Sequence, residues 1–132
     1  MNKIGTTDRQ QIKHFVRKSL GCTCSEEVFE NIRVADHLDQ FTSASIIYEI
    51  GERLLVAVLV PADWRDTARH LGQLVDEGMQ YRDRHGYNRF RLVIATVDGD
   101  AINRLQSDFA ALTHKDEKVH LHVIKPELLP FD

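Results

Sequence analysis

The sequence predicts an α/β domain built on a four-stranded mixed sheet with strand order 1-2-3-4. Two observations carry this prediction: an apolar hairpin pattern at residues 45–60, and the alternation of helical and strand periodicity after it. With 132 residues, 42% of them apolar, the chain is long enough for one core, so we expect residues 1–132 to form a single domain.

Two helices are predicted before the first strand. Thr6 or Thr7 can cap the first, and Gly21 suits the position just after its end. The second is predicted from Thr23 to Ile32, where Thr23 and Glu26 have the spacing of a capping box. Residues 33–42 are polar and aperiodic, so we expect a connection there. The apolar positions expected to face the core are Ile12, Phe15, Val16, Leu20, Val28, Phe29 and Ile32.

The hairpin and two βαβ units complete the predicted sheet. Gly51-Glu52 separates the two hairpin strands, and strands three and four are expected at Phe90–Val97 and Val119–Ile124. Asp63 is the expected cap of a long helix from Ala62 to about His85, in which Gly72 and Gly78 suggest close approach to the sheet. Right-handed crossovers put both crossover helices on one face and leave the other face for the two N-terminal helices.

Charge and hydropathy exclude some function classes. Seventeen basic and twenty acidic residues give a net charge of −3, so no general cationic field attracts nucleic acid or anionic lipid. The longest apolar run, Leu54 to Val60, is too short to span a bilayer, and the N-terminus lacks an apolar signal segment. We therefore expect a cytoplasmic protein without membrane contact.

Cys22-Thr23-Cys24 is the most reactive motif in the sequence. The positive end of the following helix would stabilise thiolates, the form that binds metals and attacks disulfides, whereas Glu26 and Glu27 oppose this effect. A disulfide within Cys-x-Cys would close a small, strained ring that is easily reduced. Metal binding, redox exchange and simple packing all remain open for this pair.

His120 and His122 could supply two further ligands. Strand periodicity places both side chains on one face, and two cysteines with two histidines suit tetrahedral zinc, so zinc is a possible cofactor. The competing interpretation puts both histidines on the solvated side of an edge strand, with Val119, Leu121 and Val123 facing inward.

Three aspartates follow the ends of predicted parallel strands, where open α/β sheets bind ligands. Asp63, Asp98 and Asp100 could hold magnesium with a phosphate at this edge. Helix capping explains Asp63 and one of the other two equally well.

Residues 82–91 form the one segment typical of nucleic-acid contact. Its arginines lie among aromatic residues, which would suit phosphate contact and base stacking, although cations also belong at a helix C-terminus. The arginines are Arg82, Arg84, Arg89 and Arg91.

One short stretch resembles a known sequence pattern. Residues Leu20–Phe29, LGCTCSEEVF, are similar to the Leu-Gly-Cys-x-Cys-Pro-Glu-Glu-Val-Phe stretch of a group of small uncharacterised prokaryotic proteins, with Ser25 in place of proline. The resemblance marks this segment as a signature and implies no activity.

The helix–hairpin–helix–strand order is also similar to a nuclease core, but Leu54–Val60 lacks the Glu-x-Lys that such a core needs, so we do not expect a nuclease.

Three functions are therefore compatible with the sequence. The favoured hypothesis is a thiol-based metal-binding or redox-responsive protein that uses Cys22 and Cys24. The second is a non-enzymatic adaptor that docks an unknown protein partner through edge strands or its charged N-terminal helices. The third is a nucleic-acid accessory protein that uses residues 82–91. The sequence contains neither a nucleophile elbow nor a phosphate-binding loop, so no motif indicates an enzyme.

Overall fold

The computed structural model describes residues 6–21, 26–35, 46–51 and 53–130. They form one mixed sheet flanked by helices. The strands are β1 (Ile32–Ala35), β2 (Ile46–Ile50), β3 (Leu54–Leu59), β4 (Arg89–Ala95) and β5 (Val119–Ile124). The α-helices are α1 (Thr6–His14), α2 (Trp64–Arg69), α3 (Leu71–His85) and α4 (Gly99–Ala111), with a π-helical turn at Phe15–Ser19 and 3-10 turns at Glu26–Glu30 and Pro126–Leu128.

The sheet follows the chain, with order β1-β2-β3-β4-β5. β1, β2 and β3 pair antiparallel, and β3, β4 and β5 pair parallel. The mixed α/β sheet, its hairpin and its two crossovers are therefore confirmed, but the expected number of four strands is wrong. The additional strand is β1, in a segment predicted as the end of a helix and a connection. Ile32 and Val34 alternate with more polar neighbours and pack against the core, a strand pattern too short to stand out in the sequence.

Both faces of the sheet are covered, which explains why every residue of β3 is buried. On one face, called here the crossover face, α3 and α4 pack on Leu55, Phe90, Leu92 and their neighbours. On the other, called the N-terminal face, Ile12, Phe15, Val16, Leu20 and Phe29 pack on alternate residues of β2, β3 and β4. Of the two helices expected on the N-terminal face, the first is present as α1 with its π-helical turn. The second, predicted from Thr23 to Ile32, is wrong in its described part, which is a 3-10 turn at Glu26–Glu30 followed by β1.

The long helix predicted after β3 is interrupted at His70. The ring Nδ1 of His70 lies 3.0 Å from the carbonyl oxygen of Asp66. In a continuous helix, this oxygen would accept the hydrogen bond of the His70 backbone N–H. That N–H instead donates to the Thr67 oxygen at 3.1 Å, and φ and ψ of −112° and 16° separate α2 from α3. Gly86 ends α3 at φ 73°, as expected for a residue just after a helix.

Close approach between α3 and the sheet is confirmed at Gly78. A Cβ added at this position would lie 2.0 Å from the Phe90 ring, whereas one at Gly72 would meet its nearest neighbour, Leu112, at 3.5 Å. Of these two residues, only Gly78 therefore needs to be glycine for packing. None of the helices in the described part of the chain is both long and apolar enough to cross a bilayer.

Candidate functional site

Two arginines and two histidines meet on the N-terminal face of the sheet. Arg91 Nη1 lies 2.9 Å from His122 Nε2, and Arg89 Nη1 lies 3.5 Å from His120 Nε2. We call Arg89, Arg91, His120 and His122 the Arg–His cluster. It joins two sets of residues that the sequence patterns had linked to different functions, one to nucleic acid and one to metal.

Strand geometry explains how the cluster forms. Successive side chains of a strand point to opposite faces, so the buried Phe90 and Leu92 face α3 and α4 while Arg89 and Arg91 face the other way. On β5, Val119 and Leu121 are buried on the crossover face, which leaves His120 and His122 on the N-terminal face. The parallel register of β4 and β5 then brings arginines and histidines together.

Arg91 is the centre of the cluster. Its Nη1 also donates to the backbone carbonyl oxygen of Leu20 at 2.9 Å, which ties the end of the N-terminal helical segment to β4. Its Nε is buried and has no hydrogen-bond partner among the described residues. Burial and the charge of Arg89 both lower the pKa of Arg91. Among the described residues, no carboxylate therefore compensates the charge of this guanidinium.

The surroundings of both histidines favour the neutral imidazole by lowering its pKa. Burial lowers the pKa of His122 to about 4, with smaller contributions from Arg91 and His120. Burial and the two arginines also lower the pKa of His120. Because a guanidinium can only donate, His122 Nε2 is an acceptor and its proton lies on Nδ1. The sequence suggested zinc ligands or solvated side chains, whereas the structure shows partly buried hydrogen-bond acceptors for arginine.

Cys22 and Cys24 lie outside the described residues. The nearest described position, Gly21, has a φ of 70° and directly follows Leu20, the residue whose carbonyl Arg91 holds. Within the described ranges no three His, Cys, Asp or Glu side chains form a group suited to a metal ion. Zinc binding by the two cysteines with His120 and His122 stays a prediction.

Two of the three aspartates that follow the parallel strands, Asp63 and Asp98, act as helix caps. Asp63 accepts from the Arg65 N–H at 3.0 Å, and Asp98 accepts from the Asp100 N–H at 2.9 Å. Trp64 Nε1 also donates to Asp98 at 2.9 Å, and this bond lowers the pKa of the Asp98 carboxyl. Capping thus accounts for Asp63 and Asp98, the interpretation that competed with a magnesium site, and Asp100 is exposed.

The four arginines of residues 82–91 do not share a surface. Arg82 is 4% exposed and binds both carboxylate oxygens of Asp116, at 2.9 and 2.5 Å. Arg84 is exposed on α3, on the side of the sheet opposite Arg89 and Arg91. Arg82 is therefore buried in an ion pair and is not free to contact a ligand. Nucleic-acid binding through Arg84, Arg89 and Arg91 stays a prediction.

A buried polar cluster on β2 was not foreseen from the sequence. Glu49 is 9% exposed and accepts hydrogen bonds from the hydroxyls of Tyr81, at 3.3 Å, and Tyr87. Arg33 Nη2 lies 3.5 Å from the same carboxylate and donates to Tyr87 at 3.1 Å. The sequence signal for this cluster is Glu49 itself, a single carboxylate within the otherwise apolar strand β2. The cluster ties the C-terminal part of α3 to the antiparallel half of the sheet.

Alkaline pH should weaken this cluster. Burial, with the hydrogen bond and charge of Glu49, raises the pKa of Tyr87 to about 12, above its usual value of 10. Because the pKa is higher in the folded protein, the neutral hydroxyl stabilises the fold fully below pH 10, and this stability is lost as pH rises through 12. The free energy involved is about 1.4 kcal/mol for each unit by which the folded and unfolded pKa values differ. Urea unfolding between pH 9 and 12 should show a falling midpoint that is less steep in Tyr87→Phe. Equal slopes in the two proteins would contradict this assignment.

Comparison of the chain with models of protein families, with curated proteins and with solved structures gives no match.

Proposed function

We propose that this protein is a thiol-based, redox-responsive protein in which Cys22 and Cys24 react and Arg91 stabilises their thiolate form. The observation that carries the proposal is the hydrogen bond from Arg91 Nη1 to the Leu20 carbonyl. It holds Leu20, two residues before Cys22, against a guanidinium that has no carboxylate partner among the described residues. Since a chain advances at most about 3.6 Å per residue, Cys22 and Cys24 are separated from Leu20 by at most about 7 and about 14 Å of chain.

The neutral histidine supports this role. Arginines are commonly held in place by carboxylates, which also neutralise them, but His122 holds Arg91 through an uncharged acceptor. The positive charge then remains available to a thiolate, and a nearby cation lowers a thiol pKa. The Nε donor that has no described partner gives the same guanidinium a further hydrogen bond to offer.

The proposed reaction is thiol–disulfide exchange with a disulfide oxidant. One cysteine thiolate attacks the oxidant disulfide, forming a mixed disulfide and releasing one thiolate. The second cysteine then attacks the mixed disulfide, which closes the Cys22–Cys24 bond and releases the second thiol. Two electrons pass from the cysteine pair to the oxidant. The cytoplasm, where thiols are kept reduced, is the compartment proposed for this switch.

Zinc binding is the alternative function of Cys22 and Cys24. The Arg–His cluster supports it less than it supports redox exchange. The Nε2 atoms of His120 and His122 both face arginine nitrogens, and two guanidinium charges oppose the approach of a divalent cation. Protein purified without oxygen is therefore expected to contain two free thiols and no stoichiometric metal. Bound zinc at one equivalent would overturn the redox assignment.

The pH dependence of iodoacetamide alkylation tests the role of Arg91. We expect a thiol pKa below the usual value of about 8.5 in the wild-type protein, and a rise of about one pH unit or more in Arg91→Gln. Arg91→Lys should restore part of the difference because it keeps the charge. Cys22→Ser and Cys24→Ser would show which thiol is responsible.

Arg84→Gln is the matched control, since it removes an exposed arginine from the opposite side of the sheet. It should leave the alkylation profile unchanged. An ordinary thiol pKa that does not respond to Arg91→Gln would contradict the proposal.

A further inference from the structure

Among the described residues, Arg89 and Arg91 have no acidic partner, in contrast to Arg82 and Arg104. Arg82 contacts two aspartates, and Arg104 pairs with Asp108 at 2.9 Å. The described residues place no carboxylate in ion-pair contact with Arg89 or Arg91, whose side-chain partners are neutral imidazoles. No carboxylate of the described residues therefore neutralises these two positive charges.

Several donors of these two arginines remain available. A guanidinium has five N–H groups, and Arg91 uses those of Nη1 for Leu20 and His122. Its Nη2 makes no hydrogen bond to a described residue. Arg89 is exposed and makes one long contact, to His120, so the cluster is open to solvent on its side.

The spacing of the two arginines suits one small oxyanion. Alternate residues of a strand lie on the same face about 7 Å apart, a distance that two long arginine side chains can close around a single group. Burial and the charge of Arg89 lower the pKa of Arg91, so the two cations already repel each other. An anion between them would remove this repulsion.

We propose that Arg89 and Arg91 bind a phosphoryl group, with His120 and His122 holding the guanidiniums in position. A phosphoryl group carries up to two negative charges and three oxygens, which match two forked guanidiniums better than a carboxylate does. The site shares Arg91 with the proposed thiol function but does not need the cysteines, so phosphate binding and thiol reactivity can be tested separately.

A single phosphoryl group fits better than a nucleic-acid strand. Arg82 is buried against Asp116, and Arg84 lies across the sheet, so the remaining arginines of this segment form one pair and no extended track. The net charge of −3 also opposes a long polyanion.

Titration calorimetry of the 132-residue chain with inorganic phosphate, in low-salt buffer at pH 7, tests the site. Wild-type protein should bind phosphate, and affinity should fall about tenfold or more in Arg89→Gln and in Arg91→Gln. Arg89→Gln changes an exposed side chain and avoids the folding contacts of Arg91. Arg84→Gln should bind as the wild type does. Phosphate affinity that is undetectable in the wild type, or that survives both substitutions, would overturn the site.

Parallel titrations identify the source of the phosphoryl group. Tighter binding of AMP than of inorganic phosphate would assign a nucleotide, and equal binding would assign free phosphate. A single-stranded oligonucleotide that binds far more tightly than AMP would overturn the site in favour of a nucleic-acid surface. Retained phosphate binding in a Cys22→Ser, Cys24→Ser protein separates this site from the thiol function.

Discussion

Gly78→Ala is expected to destabilise the protein by about 3 kcal/mol, the upper part of the usual range for overpacking a core. The new methyl group would lie 2.0 Å from the Phe90 ring, well inside van der Waals contact. Phe90 is completely buried and belongs to β4, which pairs with a strand on each side, so the ring has little room to move. The gain of about 1 kcal/mol from replacing a helical glycine offsets only part of this cost.

Gly72→Ala is the matched control on the same helix. Its added Cβ meets Leu112 at 3.5 Å, an ordinary contact, so the variant should be as stable as wild type or up to about 1 kcal/mol more stable. Urea unfolding measures both variants. Adding Phe90→Leu to Gly78→Ala should restore part of the lost stability, because the shorter side chain makes space. A Gly78→Ala protein as stable as Gly72→Ala would show that the ring yields easily.

Asp116→Ala is expected to cost about 3 kcal/mol, because it leaves the buried Arg82 without its main partner. Asp83 still accepts from Arg82 Nε at 3.0 Å but is largely exposed. The hydrogen bond with Arg82 also lowers the pKa of the Asp116 carboxyl. This pair therefore adds stability above about pH 4 that is lost as pH falls through the lowered pKa.

Asp108→Ala provides the comparison for an exposed pair. Asp108 accepts from Arg104 at 2.9 Å on the outside of α4, and such pairs contribute at most about 0.5 kcal/mol. Urea unfolding measures the loss of stability in each variant. At pH 7 the loss in Asp116→Ala should be much larger than the loss in Asp108→Ala, and at pH 3 the two losses should be more similar. Equal losses at pH 7 would show that burial of Arg82 adds nothing to its ion pair.

Most of the sheet could be predicted because local patterns mark its strands. Gly51 and Gly86 lie at chain reversals, and β3 is apolar throughout because both of its faces are covered. β1 escaped prediction because its four residues follow a helix-like stretch and gain their strand conformation from pairing with β2, a contact with no local signal. The break at His70 likewise depends on a side-chain bond to Asp66.

The site was predictable residue by residue but not as an arrangement. Alternation alone places His120 and His122 on one face, and it does the same for Arg89 and Arg91. That the two pairs meet depends on the register between β4 and β5, which the sequence does not state. Glu49 shows the same limit, because its two tyrosine partners come from residues more than 30 positions away.

The order β1-β2-β3-β4-β5 has a consequence for how the chain folds during synthesis. After β1, each strand pairs with the one made just before it, so none of β2 to β5 has to wait for a later strand or insert between two that are already paired. The nascent chain can form the antiparallel meander first and then extend it by one βαβ unit at a time. The growing sheet always exposes one unfinished edge, and the last strand, β5, is the one that completes the Arg–His cluster.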